Sequence, residues 1–427
     1  MTVRLSLRAI AALAVILIPC STLADSAMRV LPPNAELSPQ RLERITGYFD
    51  NEVATGKIAG AIVMVQRHGK PVYFKSFGQI NPATGTPMTP QAIFRIRSMS
   101  KPITSVAAMM LIDDSRMKLD DPVSKYIPSF AGVKVGVGRK SANGDPELAL
   151  VPVERPITVE DLLRHSSGIT YGLYGDGPVR DAYKAADLFN GDLDNAAFVE
   201  KIARLPLAEQ PGTVWDYGHS TDVLGRVIEV VAGTSLYEFE KKRLFEPLGM
   251  IATSYYVADP ARHDRIAEPV ASDNNLRALG VRNPRLFTKW ESGGGGLLST
   301  VDDFARFAQM LLNGGELDGR RYLKPESFAA MTTNRIAPAT SVRREQYYFP
   351  GDGFGFGLGF GVRTEAGHAV PPPPGSLGEI KWDGSGGTYF WIDRAQVMFA
   401  ILMMQSPIQR GRIHPAFKAM VYDAFAE

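Results

Sequence analysis

Strand-like runs near both ends of the chain constrain its fold most. Near the start, residues 59–66 and 71–77 flank a short polar turn and predict a β-hairpin. Near the end, residues 379–393 and 397–404 predict a strand hairpin around Arg394 and Ala395. The sequence between these two parts is helical and loop-rich. It therefore predicts an α/β (α+β) fold, with one antiparallel sheet built from both termini, flanked by helices and interrupted by a mostly helical subdomain.

This division predicts a sheet subdomain at about 37–118 and 290–427 and a helical subdomain at about 119–289. Residues 135–152 contain Gly, Asn and Pro and predict an exposed loop, whereas 158–164 predict a short capped helix. Alternating glycines at 354–362 indicate strand, and 412–426 predict a closing helix. The four glycines 293–296 indicate a tight passage into a helix capped by Ser299 or Thr300, because the Gly-Lys-Ser/Thr of a phosphate-binding loop is missing.

The N-terminus has the pattern of a secretory signal peptide. Residues 1–24 carry Arg4 and Arg8, then an apolar run too short to span a bilayer, then a small polar stretch ending at Ala24. The sequence therefore predicts a mature domain at 25–427 in the periplasm or outside the cell, with no stable membrane insertion after cleavage. An uncleaved anchor is the alternative.

Charge and cysteine content exclude several classes of function. The formal net charge of the whole chain is +2, and removal of the leader would take away two arginines and no acids. A neutral, mixed-charge surface gives no electrostatic reason to bind nucleic acid. The only cysteine, Cys20, lies in the leader, so the mature domain would have no disulfide and no thiolate ligand. No metal-binding or dinucleotide motif occurs, and we expect no cofactor.

Ser98-Met99-Ser100-Lys101 stands at the start of an apolar, helix-length run. On a helix Ser98 and Lys101 share a face, so the amine would lie within reach of the hydroxyl. A buried lysine has a lowered pKa and activates a serine as nucleophile. Four-residue patterns recur by chance, however, and alone this one indicates no more than a helix start with a solvated lysine.

An ordered set of further motifs accompanies this tetrapeptide. They are residues 162–168, Pro211-Gly212 with Tyr217-Gly218-His219, residues 293–298, and Trp382-Asp383-Gly384. In order and rough spacing the set resembles the serine hydrolases related to class C β-lactamases, which include DD-peptidases and family VIII carboxylesterases. The resemblance runs from about Leu37 to the end of the chain and implies the β-lactamase/DD-peptidase-like fold.

The resemblance also implies roles for individual residues. Ser98 would be the acylated nucleophile, Lys101 its activating partner and Tyr217 a proton relay. The backbone N–H groups of Ser98 and Ser385 would form the oxyanion hole. Four further residues would belong to the substrate pocket: His219, Trp382, Asp383 and Gly384.

Two of those pocket residues depart from the family pattern. His219 stands where the Tyr-x-Asn element has Asn, and Asp383 stands in the middle of a Trp-Gly-Gly-like element. Gly384 would let a ligand approach the strand. His165, at the end of the capped helix, is interpreted as a capping or supporting residue rather than a catalytic one.

The set favours a serine hydrolase that cleaves small carboxylic esters. A β-lactamase or a D-aminopeptidase or DD-peptidase-like amide hydrolase is the alternative, and a catalytically silent acyl or peptidoglycan receptor is a second one. Because Trp382 replaces the lysine of Lys-Thr-Gly, the site is expected to lack a cation for the carboxylate of β-lactams and to prefer neutral, short-chain esters. Hydrolysis of β-lactams would require some other cation, such as Arg343, Arg344 or Lys381, to reach that carboxylate. The oligomeric state is left open.

Overall fold

The computed structural model describes residues 31, 35–140, 143–144, 146–273, 282–336, 340–343 and 348–425. The strands are β1 Gly60–Arg67, β2 Lys70–Asn81, β3 Thr86–Pro87, β4 Phe94–Arg95, β5 Lys134–Lys140, β6 Pro146–Pro152, β7 Leu298–Ser299, β8 Glu316–Leu317, β9 Arg320–Arg321, β10 Phe354–Phe356, β11 Gly361–Arg363, β12 Ile380–Asp383, β13 Tyr389–Asp393 and β14 Met398–Met404. The helices are α1 Pro39–Ala54, α2 Ser100–Asp113, α3 Val159–Leu163, α4 Pro178–Ala185, α5 Asn195–Ala203, α6 Ser220–Ala232, α7 Leu236–Glu240, α8 Glu246–Leu248, α9 Val301–Leu312, α10 Pro325–Met331 and α11 Arg410–Asp423.

One eight-stranded sheet organises the molecule, in the order β10-β11-β12-β13-β14-β1-β2-β3. The N-terminal strand β1 pairs antiparallel with β14, with Val63 opposite Leu402. The predicted sheet from both termini is therefore confirmed, and so is the β1–β2 hairpin. Helices α3 to α8 all lie in the part of the chain between the two groups of strands.

Both faces of the sheet are covered, and each strand divides its side chains between them with period two. On β1, Ile62 and Met64 belong to the core under α2 and α9. The alternate residues Ala61, Val63 and Val65 belong to the core under α1 and α11. Aromatic side chains pack together on each face. The ring centres of Phe304 and Phe390 lie 5.0 Å apart on the first face, and those of Phe49 and Phe417 lie 6.2 Å apart on the second. Burial on both faces explains why every residue of β14 is apolar.

The loop prediction for residues 135–152 is wrong. Strands β5 and β6 form a hairpin with seven paired positions. Gly136 suggested a loop, but it is a packing position, because a Cβ there would lie 2.5 Å from Cγ2 of Val179 on α4. Residues 354–362 likewise contain all of the short strand β10 and the start of β11 rather than a single run, and residues 384–388 separate β12 from β13.

Several local predictions are confirmed. Thr158 and Asp161 form the capping box of α3, and Thr300 caps α9. The closing helix is α11. The predicted leader, with Cys20, lies outside the described residues and stays a prediction. Within the described ranges, no helix has the length and apolar character needed to cross a bilayer.

Candidate active site

Helix α2 places Ser98 and Lys101 together. Residues Arg97–Met99 form a single 3-10 turn that leads directly into α2, so Lys101 stands in the first helical turn. Residues 100–111 are all buried, which anchors the helix on every side. The Lys101 side chain is 0% exposed, and its Nζ lies 3.4 Å from Ser98 Oγ. The predicted pairing of amine and hydroxyl is therefore present in the structure.

Three oxygens surround the Lys101 amine. Besides Ser98 Oγ, Nζ contacts the hydroxyl of Tyr171 at 2.9 Å and the carbonyl of Gly294 at 2.6 Å. A neutral amine has two N–H donors and one lone pair, so donation to Tyr171 and Gly294 leaves the lone pair for the Ser98 proton. Burial lowers the pKa of Lys101 from 10.5 to about 7, with Asp222 opposing and Arg97 adding to that effect. Near neutral pH a large share of the amine is therefore a base.

Tyr217 supplies a neutral hydroxyl beside this pair. Its OH accepts a hydrogen bond from Trp382 Nε1 at 3.2 Å and is hydrogen-bonded to Ser98. Lys101 Nζ lies 4.7 Å from the centre of its ring. Burial raises the pKa of Tyr217 far above its ordinary value, so the phenol keeps its proton. His165 lies behind it, with ring centres 4.7 Å apart, and burial holds the pKa of His165 well below its usual range.

The turn between β12 and β13 is fastened to the nucleophile segment. A Cβ at Gly384 would overlap the carbonyl oxygen of Ile96, so the glycine admits the protein's own backbone rather than a ligand. Thr388 Oγ1 donates to the same oxygen at 3.1 Å. Arg97, in the left-handed region at φ 51°, donates from Nε to Ser385 Oγ at 3.3 Å. The segments that carry Ser98 and Ser385 therefore face each other.

A second buried network supports α2 one turn beyond Lys101. Thr104 Oγ1 lies 3.0 Å from the carbonyl of Gly293 and 3.2 Å from Glu240 Oε1, and Tyr255 donates to Glu240 Oε2 at 3.0 Å. A threonine hydroxyl has one proton, which Gly293 takes, so the contact with Glu240 requires a proton on the carboxyl. Burial accordingly raises the pKa of Glu240 to about 8.

A cavity of about 460 Å³ opens above Ser98. Of the predicted site residues, Ser98, Tyr217, His219 and Ser385 line it, while Lys101 lies beneath its floor. The other lining residues include aromatic and apolar ones, such as Tyr171, Leu173, Phe189 and Trp290, three cationic ones, Arg95, Arg97 and Arg282, and two acidic ones, Asp187 and Asp222. None of the described residues forms a group of three His, Cys, Asp or Glu side chains suited to a metal ion.

Three predicted pocket residues do not line this cavity. Trp382 is 2% exposed and supports Tyr217 from behind. Asp383 accepts hydrogen bonds from Tyr348 OH and Arg410 Nη1, both at 2.9 Å, and Gly384 packs on Ile96 as described above. These residues shape the site through its supports rather than through contact with the cavity.

The expectation that the site lacks a cation is also wrong, because Arg97 lines the cavity directly before the nucleophile. Of the cations considered from the sequence, Arg343 pairs with Glu209 at 2.9 Å, and Lys381 Nζ lies 4.0 Å from the ring centre of Phe354. Arg344 lies outside the described residues. Trp382 leaves the position of the family lysine without a charge, and Arg97 supplies one from a different segment.

Two further polar residues escaped the sequence analysis. Tyr171 reaches Lys101 from a loop and has no local signature. Asp222 does have one, since it stands three residues after His219 at the start of α6, a spacing that brings side chains together. His219 Nδ1 lies 2.8 Å from Asp222 Oδ2. Ser292 Oγ and the Gly294 backbone N–H donate to the other carboxylate oxygen, at 2.5 and 3.2 Å.

Comparison with known proteins agrees with this geometry. The family model described as Beta-lactamase matches residues 45–419. Protein Rv1367c of Mycobacterium tuberculosis is 34% identical over 357 residues, which cover 82% of this chain and 86% of that protein. Esterase EstB of Burkholderia gladioli is 28% identical over 89% of this chain and 94% of its own length.

Among solved structures, EstCE1, described as a hydrolase with promiscuous acyltransferase activity, superimposes with a TM-score of 0.72. The two are 25% identical, and the superposition covers 90% of this chain and 99% of that one. The fold, the family match and these relatives lead to one conclusion: the chain belongs to the beta-lactamase family and is a serine hydrolase with esterase relatives.

Proposed function

We propose that the protein hydrolyses carboxylic esters through an acyl-enzyme on Ser98, with Lys101 as the base and Tyr217 as the proton relay. One observation carries the proposal: a fully buried amine whose two donor directions are taken by Gly294 and Tyr171 and whose third contact is Ser98 Oγ. Nucleophilic catalysis by serine needs a base held in this way.

In the first half-reaction, Ser98 Oγ forms a bond to the ester carbonyl carbon while its proton passes to Lys101 Nζ. The carbonyl oxygen becomes an oxyanion, for which the backbone N–H groups of Ser98 and Ser385 are the proposed donors. When the C–O bond breaks, the leaving alkoxide takes the Tyr217 hydroxyl proton, and Lys101 returns its proton to Tyr217. Water then replaces the alcohol, and the same groups act in reverse to release the acid.

The esterase relatives and the absence of the family lysine support an ester substrate. Trp382 occupies that lysine's place in the sequence and donates a hydrogen bond to Tyr217, while the Lys381 ammonium group lies over the ring of Phe354. Hydrolysis of β-lactams is the second candidate, because Arg97 lines the cavity and a carboxylate binds well to a cation.

Active-site labelling tests the proposal. A fluorophosphonate probe followed by peptide mass mapping should modify Ser98, and Ser98→Ala should abolish both labelling and hydrolysis of nitrophenyl butyrate. Ser100→Ala is the matched control, because that buried hydroxyl accepts from the Leu297 backbone N–H and takes no part in the proposed chemistry. Labelling of Ser100, Ser167 or Ser385 would contradict the assignment. Ligand binding without any turnover would support the receptor alternative instead.

We further propose that the protein is exported and that its leader is removed. Cell fractionation with N-terminal sequencing should find a chain that begins near Asp25 outside the cytoplasm. A chain retaining Met1 in the membrane fraction would support an anchor.

A further inference from the structure

The His219–Asp222 pair has no part in the proposed proton transfers. The hydrogen bonds around the pair nevertheless indicate which side chain carries the proton that the two share. The contacts of Asp222 with Ser292, Gly294 and His219 favour the carboxylate, and hydrogen bonds with His219 help to lower the pKa of Asp222. A carboxylate only accepts hydrogen bonds, so His219 Nδ1 must carry the proton that they share. In the neutral imidazole Nε2 then holds a lone pair and is an acceptor.

The ring of His219 belongs to the cavity wall, and its Nδ1 is taken by Asp222. His219 is 2% exposed and is one of the residues that line the cavity. Rings enclose the imidazole, with the centres of Tyr171 at 4.5 Å, Phe198 at 5.2 Å and Phe189 at 5.8 Å. Within the described ranges no protein group hydrogen-bonds Nε2. A buried acceptor without a protein partner gains most from a donor on the ligand.

The surroundings decide which donor suits this position. Phe189, Trp290 and Leu173 make the adjacent wall apolar, so the group beside His219 is mainly hydrocarbon. Three arginines line the cavity, Arg95, Arg97 and Arg282, against two aspartates, Asp187 and Asp222. Because Asp222 is already hydrogen-bonded to His219, Ser292 and Gly294, an ammonium group would meet a net positive charge. A hydroxyl is a neutral donor that a short apolar chain readily carries.

We propose that His219 Nε2 accepts a hydrogen bond from a hydroxyl group of the substrate, so that the enzyme selects hydroxylated esters over their unsubstituted analogues. This inference rests on the proposed ester hydrolysis. The His219 ring lies 4.5 Å from the ring of Tyr171, whose hydroxyl contacts Lys101 at 2.9 Å, so the substrate hydroxyl would lie near the scissile bond. It belongs either to the acyl part or to the alcohol part of the ester.

Two pairs of esters distinguish these sources. Nitrophenyl 3-hydroxybutyrate and nitrophenyl butyrate differ by a hydroxyl on the acyl part, and 2-hydroxyethyl butyrate and propyl butyrate differ by one on the alcohol part. We expect kcat/KM of the wild type to favour the hydroxylated member of one pair by at least about tenfold. His219→Phe should reduce that ratio to about one. Phe189→Leu is the control, because it alters the same wall without removing an acceptor and should leave the ratio in place.

Reversing the polarity of Nε2 gives a second readout. In Asp222→Asn the amide can donate to Nδ1, which places the imidazole proton on Nε2. A methoxy analogue of the preferred ester only accepts hydrogen bonds, so its kcat/KM relative to the hydroxy ester should rise about tenfold in this variant. Ratios measured on one preparation do not depend on the fraction of active protein.

The outcomes separate the two proposals. Hydrolysis of plain and hydroxylated esters at equal rates by the wild type, or a ratio that survives His219→Phe, would overturn the role of His219 and leave the ester hydrolase intact. An unchanged methoxy-to-hydroxy ratio in Asp222→Asn would overturn the tautomer assignment on which that role depends. Failure to hydrolyse any of the esters would overturn the proposed function and this inference with it.

Discussion

The pH dependence of the reaction should report Lys101 directly. Burial lowers the pKa of Lys101 from 10.5 to about 7. Only the neutral amine accepts the Ser98 proton, and at pH 7 about half of the molecules hold it, against roughly one in 3000 for a lysine of ordinary pKa. We therefore expect kcat/KM to rise with pH, to reach half its plateau near pH 7, and to fall about tenfold per unit below that point.

Arg97→Gln should move this midpoint upward. The guanidinium of Arg97 is a like charge that adds to burial in lowering the pKa of Lys101. A unit charge roughly 10 Å from an ammonium, at an effective dielectric constant of about 20, destabilises the ammonium by about 1.7 kcal/mol, or just over one pKa unit. Water in the cavity screens part of this, so we expect a rise of about one unit.

The assay is the kcat/KM profile for nitrophenyl butyrate between pH 5 and 9, with wild type, Arg97→Gln and Arg282→Gln. Arg282 also lines the cavity, but its side chain is 32% exposed and it is not among the charges that shift the pKa of Lys101. Its variant should keep the wild-type midpoint. The plateau value of kcat/KM in Arg97→Gln will also fall if Ser385 shifts, but the pH of the midpoint does not depend on the plateau value. A midpoint that stays fixed or moves down would refute Lys101 as the titrating base.

Three further predictions follow from the same contacts. Lys101→Ala and Tyr217→Phe should each lower kcat at least about a hundredfold, and the double variant should lower it little more, because the two residues act as one unit. His219→Ala should lower kcat less on an unsubstituted ester. Additive losses in the double variant would contradict the relay. Because Trp382 stands in the place of the family lysine and Arg97 already donates to Ser385, the kcat/KM for nitrophenyl butyrate should exceed that for nitrocefin by about a hundredfold. Comparable values that are lost in Arg97→Gln would instead establish a β-lactamase. Glu240 has a folded pKa of about 8 against an ordinary 4.5, so the stability that it contributes is full below about pH 4.5 and is lost as the pH rises through 8. As the pH rises from 5 to 9, the Tm of Glu240→Gln should therefore rise by a few degrees relative to the Tm of the wild type. Glu52→Gln is the control and should show no such relative rise, because its ion pair with Arg412 lowers the pKa of Glu52.

The parts of the fold that the sequence predicts well are those with local periodicity. The strands that build the sheet are apolar because both faces are covered, and that pattern is visible in β14 without any partner. The prediction of a loop where the β5–β6 hairpin lies was wrong because glycine has two uses. In a loop it supplies unusual dihedral angles, and at Gly136 it makes room for Val179, a contact that only the folded molecule defines.

The site was predictable where it depends on spacing and not where it depends on side-chain direction. Ser98 and Lys101 are neighbours on one turn, so three residues of sequence suffice to pair them. Arg97 enters the cavity through a left-handed backbone conformation that its residue type does not indicate. Tyr171 comes from a distant loop, and its contact with Lys101 exists only after the helical subdomain has packed. The same limit explains why Gly384 was assigned to a ligand instead of to Ile96.

The pairing of β1 with β14 has a consequence for how the enzyme is made. Ala61 lies opposite Met404, so the centre of the sheet cannot form until nearly the whole chain has been synthesised. A ribosome releases Ser98 and Lys101 early, but the turn that carries Ser385 emerges only after more than 280 further residues. Contacts of such long sequence separation form slowly. A nascent or truncated chain that ends before Gly384 would thus display the nucleophile without the partner turn and without β14 at the centre of the sheet, and hydrolytic activity would begin only after both have been synthesised.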